Sequence, residues 1–146
     1  MTTLHIDAAR LTDLVKRLLQ SQGVSAHDAK VTADSLVCAD LEGVASHGVM
    51  LLPMYLARLR AGSVRANAQT QVEEDLGGLV IMSAQNGLGQ VSSQAAVSLA
   101  IERARIHGLS TVTVRDGFHF GAASYWARQF AQAGMIGMAF SDRKST

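Results

Sequence analysis

Two histidines in glycine-containing segments are the residues best suited to chemistry in this sequence. His119 lies in segment 116–121 (DGFHFG), a predicted loop between a strand and a helix. An imidazole titrates near neutral pH and can act as a general acid or base. In open α/β sheets, ligands bind at the carboxyl ends of strands, where this loop is expected. The alternative is that His119 is a loop residue that caps the next helix, and the residues alone leave both interpretations open.

His47 is the second candidate, in the run Ser46-His47-Gly48 between two apolar helical segments. A polar turn of this kind is costly to bury, so we expect it at a surface or in a site. Alternatively, Ser46 is a helix N-cap and His47 a solvated neighbour. Tyr55 follows the chain's only proline by two residues. It is predicted on the helix face nearer the turn, where it is either a packing residue or part of the site.

The N-terminal half is predicted to be helical. Asp7 can cap a first helix, and Ser25 with Asp28 resembles a capping box that opens a second helix. Pro53 is tolerated near a helix start, so a third helix is predicted from about Pro53 to Arg60. The apolar positions of the first helix recur at helical spacing and predict a buried stripe: Leu11, Leu14, Val15, Leu18 and Leu19.

The C-terminal half alternates strands and helices after a polar linker at 66–70. Gly77-Gly78 supplies a hairpin turn between the first two strands. The predicted strands are 71–75, 79–83, 110–115 and 135–140, and the predicted helices are 90–107 and 122–133. This order favours an α/β layered domain. We therefore divide the chain into a helical segment, 1–65, and an α/β segment, 66–146.

A glycine-containing turn, Asn86-Gly87-Leu88-Gly89, stands between a predicted strand and a helix, as a phosphate-binding loop would. The third glycine of the dinucleotide fingerprint is missing, because Ser92 occupies that position. We therefore predict a plain turn. Ser46 is not in the Gly-x-Ser-x-Gly elbow of a hydrolase, and one cysteine with scattered histidines shows no metal-ligand spacing, so no metal is predicted.

The composition indicates a globular protein and disfavours several classes of partner. Of 146 residues, 48% are hydrophobic and 17% charged, and the formal net charge is +1. The absence of a basic stripe argues against nucleic acid as a partner. The apolar runs are too short to span a membrane. One cysteine permits no internal disulfide and is typical of a reducing compartment, which predicts a cytoplasmic protein.

Several motifs, in this order, resemble the type 2 malate/L-lactate dehydrogenase family, which includes ureidoglycolate, sulfolactate and piperideine-carboxylate enzymes. They are Asp40-x-x-Gly43-Val44-x-Ser46-His47-Gly48, Pro53-x-Tyr55, Arg58-Leu59, Gly62, Asn86-Gly87-x-Gly89, His119-Phe120-Gly121 and Gly134-Met135-Ile136-Gly137. The resemblance implies a non-Rossmann oxidoreductase and a homodimer. The enzyme would transfer a hydride between NAD or NADP and a 2-hydroxy/2-oxo acid or a cyclic imino acid.

The same resemblance assigns roles to individual residues. It implies that His119 is the catalytic acid/base and that Ser46, His47 and Tyr55 bind the substrate. His47, Ser141 and Asp142 would contact the cofactor.

The sequence departs from the family pattern in three respects. Leu51 stands where relatives commonly carry an arginine, which can bind a carboxylate through two charge-assisted hydrogen bonds. Ser141-Asp142-Arg143 replaces the usual Thr-Asn-Ser. Family members are also much longer, so we expect an incomplete fold, truncated after Thr146, that is inactive in isolation. The alternative function is a non-catalytic remnant that serves as a dimerisation or binding module.

Overall fold

The computed structural model describes residues 5–141, which form a group of helices packed beside a small sheet. The elements in chain order are α1 (Ala8–Gln20), α2 (Ala26–Leu41), two 3₁₀ turns (Ala45–His47 and Val49–Leu51), α3 (Leu52–Arg60), β1 (Gln71–Asp75), β2 (Leu79–Ser83), α4 (Gly89–His107), β3 (Thr111–Arg115) and α5 (Ala123–Gln132). The α/β class and the order of these elements agree with the prediction.

Local capping explains where the first helices begin. The Asp7 carboxylate accepts a hydrogen bond from the Arg10 backbone N–H at 3.1 Å, and the Ser25 hydroxyl accepts one from the Asp28 N–H at 3.1 Å. Each bond satisfies a backbone donor that the first turn of a helix leaves without a partner. Pro53 lies in the first turn of α3, where its missing N–H costs nothing. All three predicted helix starts are confirmed.

The buried face of α1 differs from the prediction at one position. Val15 and Leu19 are fully buried, whereas Leu14 is 41% exposed. Leu11 and Leu18 are partly buried against the core. Successive residues of a helix point about 100° apart, so a face centred on Val15 turns Leu14 toward solvent. The prediction that Leu14 is buried was therefore wrong.

The sheet has the order β1-β2-β3, with one antiparallel and one parallel pair. β1 and β2 form the predicted hairpin, with Gln71 opposite Ser83 and Asp75 opposite Val80. β2 runs parallel to β3, and α4 makes the crossover between them. Parallel strands require such a connection. Their carboxyl ends meet at one edge, where the segment 116–121 begins.

The predicted final strand, 135–140, is absent from the part of the chain described by the structure. Ile136 is 99% exposed, Met138 73% and Phe140 83%. A strand exists only where its backbone can bond to a neighbouring strand. Within residues 5–141 the sheet ends at β3, and no strand pairs with this segment. Its apolar composition indicated a strand, but the interaction that forms one is missing.

The hydrophobic core joins the helical segment to the sheet segment. Its buried residues come from α1, α2 and α3, together with three residues from the connections: Val24, Val64 and Leu88. The Arg65 N–H donates to the Asn86 carbonyl at 2.8 Å, and the Asn86 N–H donates to the Asp116 carbonyl at 3.0 Å. These bonds bring loop 116–121 toward α3. Within the described ranges, no helix is long and apolar enough to cross a membrane.

Candidate active site

Loop 116–121 carries His119 and lies directly against the start of α4. A Cβ atom added to Gly89 would stand 2.2 Å from the Phe118 carbonyl oxygen and 2.5 Å from that of His119. Only a residue without a side chain allows the two backbones to approach so closely. Gly89 therefore allows the histidine loop to pack against the start of α4. This structural role is consistent with the predicted plain turn at residues 86–89.

Tyr55 connects α3 to this loop. Its hydroxyl oxygen lies 2.7 Å from Nδ1 of His119 and 3.1 Å from the His119 carbonyl oxygen. On the other side, Nε2 of Gln90 donates a hydrogen bond to the Tyr55 oxygen at 2.6 Å. Tyr55 and Gln90 are both fully buried. Burial raises the pKa of Tyr55 to about 12, so the phenol keeps its proton at neutral pH.

His47 lies beside His119 on the other side of the site. The two ring centroids are 5.6 Å apart, with an angle of 30° between the ring planes. The Ser46 hydroxyl oxygen is 3.0 Å from Nδ1 of His47. Both rings therefore have Nδ1 in a hydrogen-bonded pair. No residue in the described chain is hydrogen-bonded to either Nε2, so these two atoms are the ones available to a ligand.

Asp40, in the last turn of α2, holds the Ser46-His47-Gly48 turn in place. Its carboxylate accepts a hydrogen bond from the Val49 N–H at 2.9 Å. A Cβ on Gly48 would lie 2.0 Å from an oxygen of that carboxylate. The spacing between Asp40 and Gly48 in the sequence thus has a structural cause, because the carboxylate needs a residue without a side chain beside it.

The electrostatic environment favours the neutral form of His119. Partial burial lowers the pKa of His119, and the nearby His47 lowers it further because two cationic rings would repel each other. At neutral pH His119 is therefore uncharged and retains one nitrogen lone pair. This is the state that a general base requires.

Gly121 fixes the other end of the histidine loop. Its φ angle is +85°, a backbone conformation that residues with side chains rarely adopt. Its N–H donates a hydrogen bond to Nδ1 of His119, with an N–N distance of 3.3 Å. A Cβ at this position would lie 2.9 Å from the Ser35 hydroxyl oxygen. Both the backbone conformation and the available space therefore require glycine.

The structure brings four of the six predicted site residues together: Ser46, His47, Tyr55 and His119. Ser141 is exposed in the irregular segment after α5, and Asp142 lies outside the described residues. The roles of all six stay predictions. Among residues 5–141, no group of three histidine, cysteine or acidic side chains could hold a metal ion.

Gln90 belongs to the site but was not predicted from the sequence. It is a fully buried polar side chain on α4, bonded to Tyr55. Hydrophobic periodicity does not detect a buried polar residue, because such a residue resembles a surface position. The only available signal was its place directly after Gly89, at the start of a helix.

Comparison with known proteins identifies the family. The malate/L-lactate dehydrogenase family profile matches residues 6–146. The chain belongs to this family. It is 35% identical over 141 residues to a malate dehydrogenase from Pyrococcus horikoshii, a match that covers 97% of this chain and 39% of the relative. It is 39% identical over 127 residues to a (2R)-3-sulfolactate dehydrogenase (NADP(+)) from Chromohalobacter salexigens, covering 87% of this chain and 38% of the relative.

Solved structures of the family show the same fold. The P. horikoshii malate dehydrogenase superposes with a TM-score of 0.88 at 35% identity, over 90% of this chain and 38% of that one. A Δ1-piperideine-2-carboxylate reductase from Pseudomonas syringae superposes with a TM-score of 0.83 at 33% identity, over 90% and 40% of the two chains. The predicted family and its α/β fold are therefore confirmed. The chain spans about two fifths of the length of these relatives in the malate/L-lactate dehydrogenase family.

Proposed function

We propose that these residues form the acid/base part of an NAD- or NADP-dependent oxidoreductase. The reaction is hydride transfer between the nicotinamide and a 2-hydroxy/2-oxo acid or a cyclic imino acid. The observation that supports this most directly is the paired arrangement of His119 and His47. Each has Nδ1 in a hydrogen-bonded pair and leaves Nε2 available to a ligand. Relatives named for malate, sulfolactate and piperideine-2-carboxylate support the substrate class.

In this proposal, His119 moves the proton. During oxidation of a 2-hydroxy acid, neutral His119 accepts the hydroxyl proton at Nε2 and becomes an imidazolium. During reduction, the imidazolium returns that proton to the substrate oxygen, or to the imine nitrogen of a cyclic imino acid. When bound, the nicotinamide cofactor accepts or supplies the hydride. The lowered pKa of His119 favours the base form at neutral pH.

His47 and Ser46 provide the other polar groups at the site. The Ser46 hydroxyl and Nε2 of His47 suit hydrogen bonds to a carboxylate or to the carboxamide of a nicotinamide. This donor set fits the predicted substrate and cofactor contacts of His47. We propose Ser46 and His47 for the substrate, and His47, Ser141 and Asp142 for the cofactor. Tyr55 acts on the substrate indirectly, through its hydrogen bond to His119, because its own hydroxyl is buried and already bonded.

Leu51 supports a second candidate function. Its side chain is partly buried and packs against the hydrophobic core. It therefore offers no positive charge for a substrate carboxylate at the position where relatives commonly carry arginine. A non-catalytic dimerisation or binding module would tolerate this residue. A dehydrogenase would need another group to bind the carboxylate.

A chimaeric enzyme tests the proposal. Residues 6–146 would replace the matching segment of the C. salexigens sulfolactate dehydrogenase, and NADP(H) turnover would be measured with sulfolactate, malate and lactate. We expect turnover with at least one acid, and a loss of about 10²–10⁴-fold in the His119→Ala form. His27→Ala is the matched control, because His27 is exposed on α2, away from the site. Unchanged turnover in His119→Ala would refute the assignment.

The same chimaera separates the two candidate functions. If Leu51 only changes substrate preference, Leu51→Arg should lower KM for a simple 2-oxo acid while the His119-dependent rate persists. If the chain is a non-catalytic module, a folded chimaera should turn over none of the acids, with or without the arginine. That second result would contradict the oxidoreductase proposal.

A further inference from the structure

The hydrogen bonds around the Tyr55 hydroxyl restrict where His119 can carry its proton. A phenol oxygen donates one hydrogen bond and can accept two. Three polar atoms lie within bonding distance of it: Nε2 of Gln90 at 2.6 Å, Nδ1 of His119 at 2.7 Å and the His119 carbonyl oxygen at 3.1 Å. Nε2 of Gln90 can only donate, and the carbonyl oxygen of His119 can only accept. The direction of the bond to Nδ1 is thus the remaining variable.

One arrangement uses all three contacts of the Tyr55 oxygen at once. The Gln90 amide and an Nδ1–H of His119 both donate to the Tyr55 oxygen, and the Tyr55 O–H donates to the His119 carbonyl. In the opposite arrangement the Tyr55 O–H turns to Nδ1, and the carbonyl loses this donor. The second arrangement also leaves Nδ1 able to accept the Gly121 N–H at 3.3 Å. The first arrangement gives up that longer bond and keeps the bond from Tyr55 to the carbonyl at 3.1 Å.

We infer that Tyr55 and Gln90 are positioning residues that hold the His119 proton on Nδ1, so that Nε2 is the atom that exchanges a proton with the substrate. The inference rests on the proposed acid/base role of His119 for its functional meaning, but the proton's location can be measured independently. Gln90 acts by keeping one lone pair of the Tyr55 oxygen occupied and the hydroxyl hydrogen directed away from itself.

Burial makes this arrangement specific. Tyr55 and Gln90 have no exposed surface, and Phe118 packs edge-on against the Tyr55 ring with centroids 5.3 Å apart. The hydroxyl group therefore exchanges its bonds among protein atoms. The titratable groups that face His119 are His47 from the first 3₁₀ turn and Tyr55 from α3, whose raised pKa keeps it neutral. Gln90 from α4 carries no charge.

The imidazolium form needs the same arrangement. Once both ring nitrogens carry protons, Nδ1–H requires an acceptor, and the Tyr55 oxygen at 2.7 Å provides it. Without that oxygen, Nδ1–H would lose its acceptor, and its remaining polar neighbour would be the Gly121 N–H, which is a donor. Removing the hydroxyl should therefore favour the proton on Nε2 and make the ring harder to protonate.

The test is NMR of the 146-residue chain with ¹⁵N-labelled histidine. Long-range ¹H–¹⁵N spectra distinguish the two neutral tautomers and the imidazolium, and a His119→Asn variant assigns the His119 signals. In the wild type we expect neutral His119 to carry its proton mainly on Nδ1. In Tyr55→Phe, we expect the main tautomer to change to Nε2–H and the pKa of His119 to fall by about one unit. Gln90→Met should give a tautomer population between the two.

A control variant and a reporter signal show whether the effect of Tyr55→Phe on His119 comes from the lost hydroxyl group. Tyr125→Phe removes the hydroxyl of the only other tyrosine, which lies on α5, and should leave the His119 signals unchanged. The single tryptophan reports on the loop, because the Trp126 indole N–H donates to the Phe120 carbonyl at 2.9 Å. An unchanged indole signal in Tyr55→Phe shows that the loop has kept its shape.

The inference is overturned if wild-type His119 carries its neutral proton on Nε2. It is also overturned if Tyr55→Phe leaves both the tautomer and the pKa of His119 unchanged. Neither result depends on turnover. A correct tautomer together with a chimaera whose rate is insensitive to His119→Ala would leave the positioning intact and refute the acid/base role instead.

Discussion

Replacing Gly89 by alanine should displace the loop that carries His119. Local rules predict the opposite effect on stability, because alanine is favoured over glycine in a helix by roughly 0.5–1 kcal/mol. In the structure, however, the added Cβ would stand 2.2 Å from the Phe118 carbonyl oxygen, where ordinary contacts begin at 3.4 Å. The loop backbone must therefore move by roughly 1 Å, the displacement at which misplaced catalytic groups lose about 10²-fold in rate.

The expected net cost is about 1–2 kcal/mol, since overpacking typically costs about 1–3 kcal/mol and the helix preference offsets part of it. Urea unfolding measures this cost directly. Gly117→Ala is the matched control in the same loop, because its Cβ would meet only Ala84 at 3.8 Å. The control should lie within about 0.5 kcal/mol of the wild type.

Two readouts show whether the loop moves. The Trp126 indole N–H, bonded to the Phe120 carbonyl, should shift in the NMR spectrum of Gly89→Ala and stay in place in Gly117→Ala. In the chimaera, Gly89→Ala should lower turnover by about 10²-fold. If Gly89→Ala were at least as stable as the wild type, with an unshifted indole signal, the close approach of α4 to the loop would be refuted.

Three further predictions concern the core, the pH dependence and association. Leu19→Ala should cost about 2–5 kcal/mol in urea unfolding, and Leu14→Ala much less, because Leu19 is fully buried and Leu14 is 41% exposed; equal costs would contradict the orientation of α1. The pKa of His119 is lower in the folded state than its ordinary value of about 6.5. In the pH range just below about 6.5, the unfolded state therefore binds more protons than the folded state. Stability should therefore rise with pH in that window, and His119→Gln should reduce the slope of the urea midpoint against pH. The exposed Ile136 and Phe140 should drive association to a dimer or larger species in sedimentation, and serine at both positions should weaken it; a concentrated wild-type monomer would count against this.

The sequence by itself determined the features that depend on neighbouring residues. Asp7 and Ser25 mark helix starts because a short polar side chain can reach backbone donors three residues later. Gly77-Gly78 marks the hairpin between β1 and β2. The ordered motifs also identified the family, because the spacing of Asp40, Gly48 and Gly89 reflects contacts that the fold requires.

Only the tertiary structure decided which residues meet. Tyr55 and His119 are 64 positions apart, and no local rule predicts that their side chains are 2.7 Å from each other. Gln90 was not predicted as a site residue, and only the packing of α4 against the histidine loop shows that it belongs to the site. Segment 135–140 has the composition of a strand but lacks a strand partner within the described chain. Propensity acts along the chain, whereas burial, strand pairing and the bonds of a buried hydroxyl depend on what the fold brings alongside.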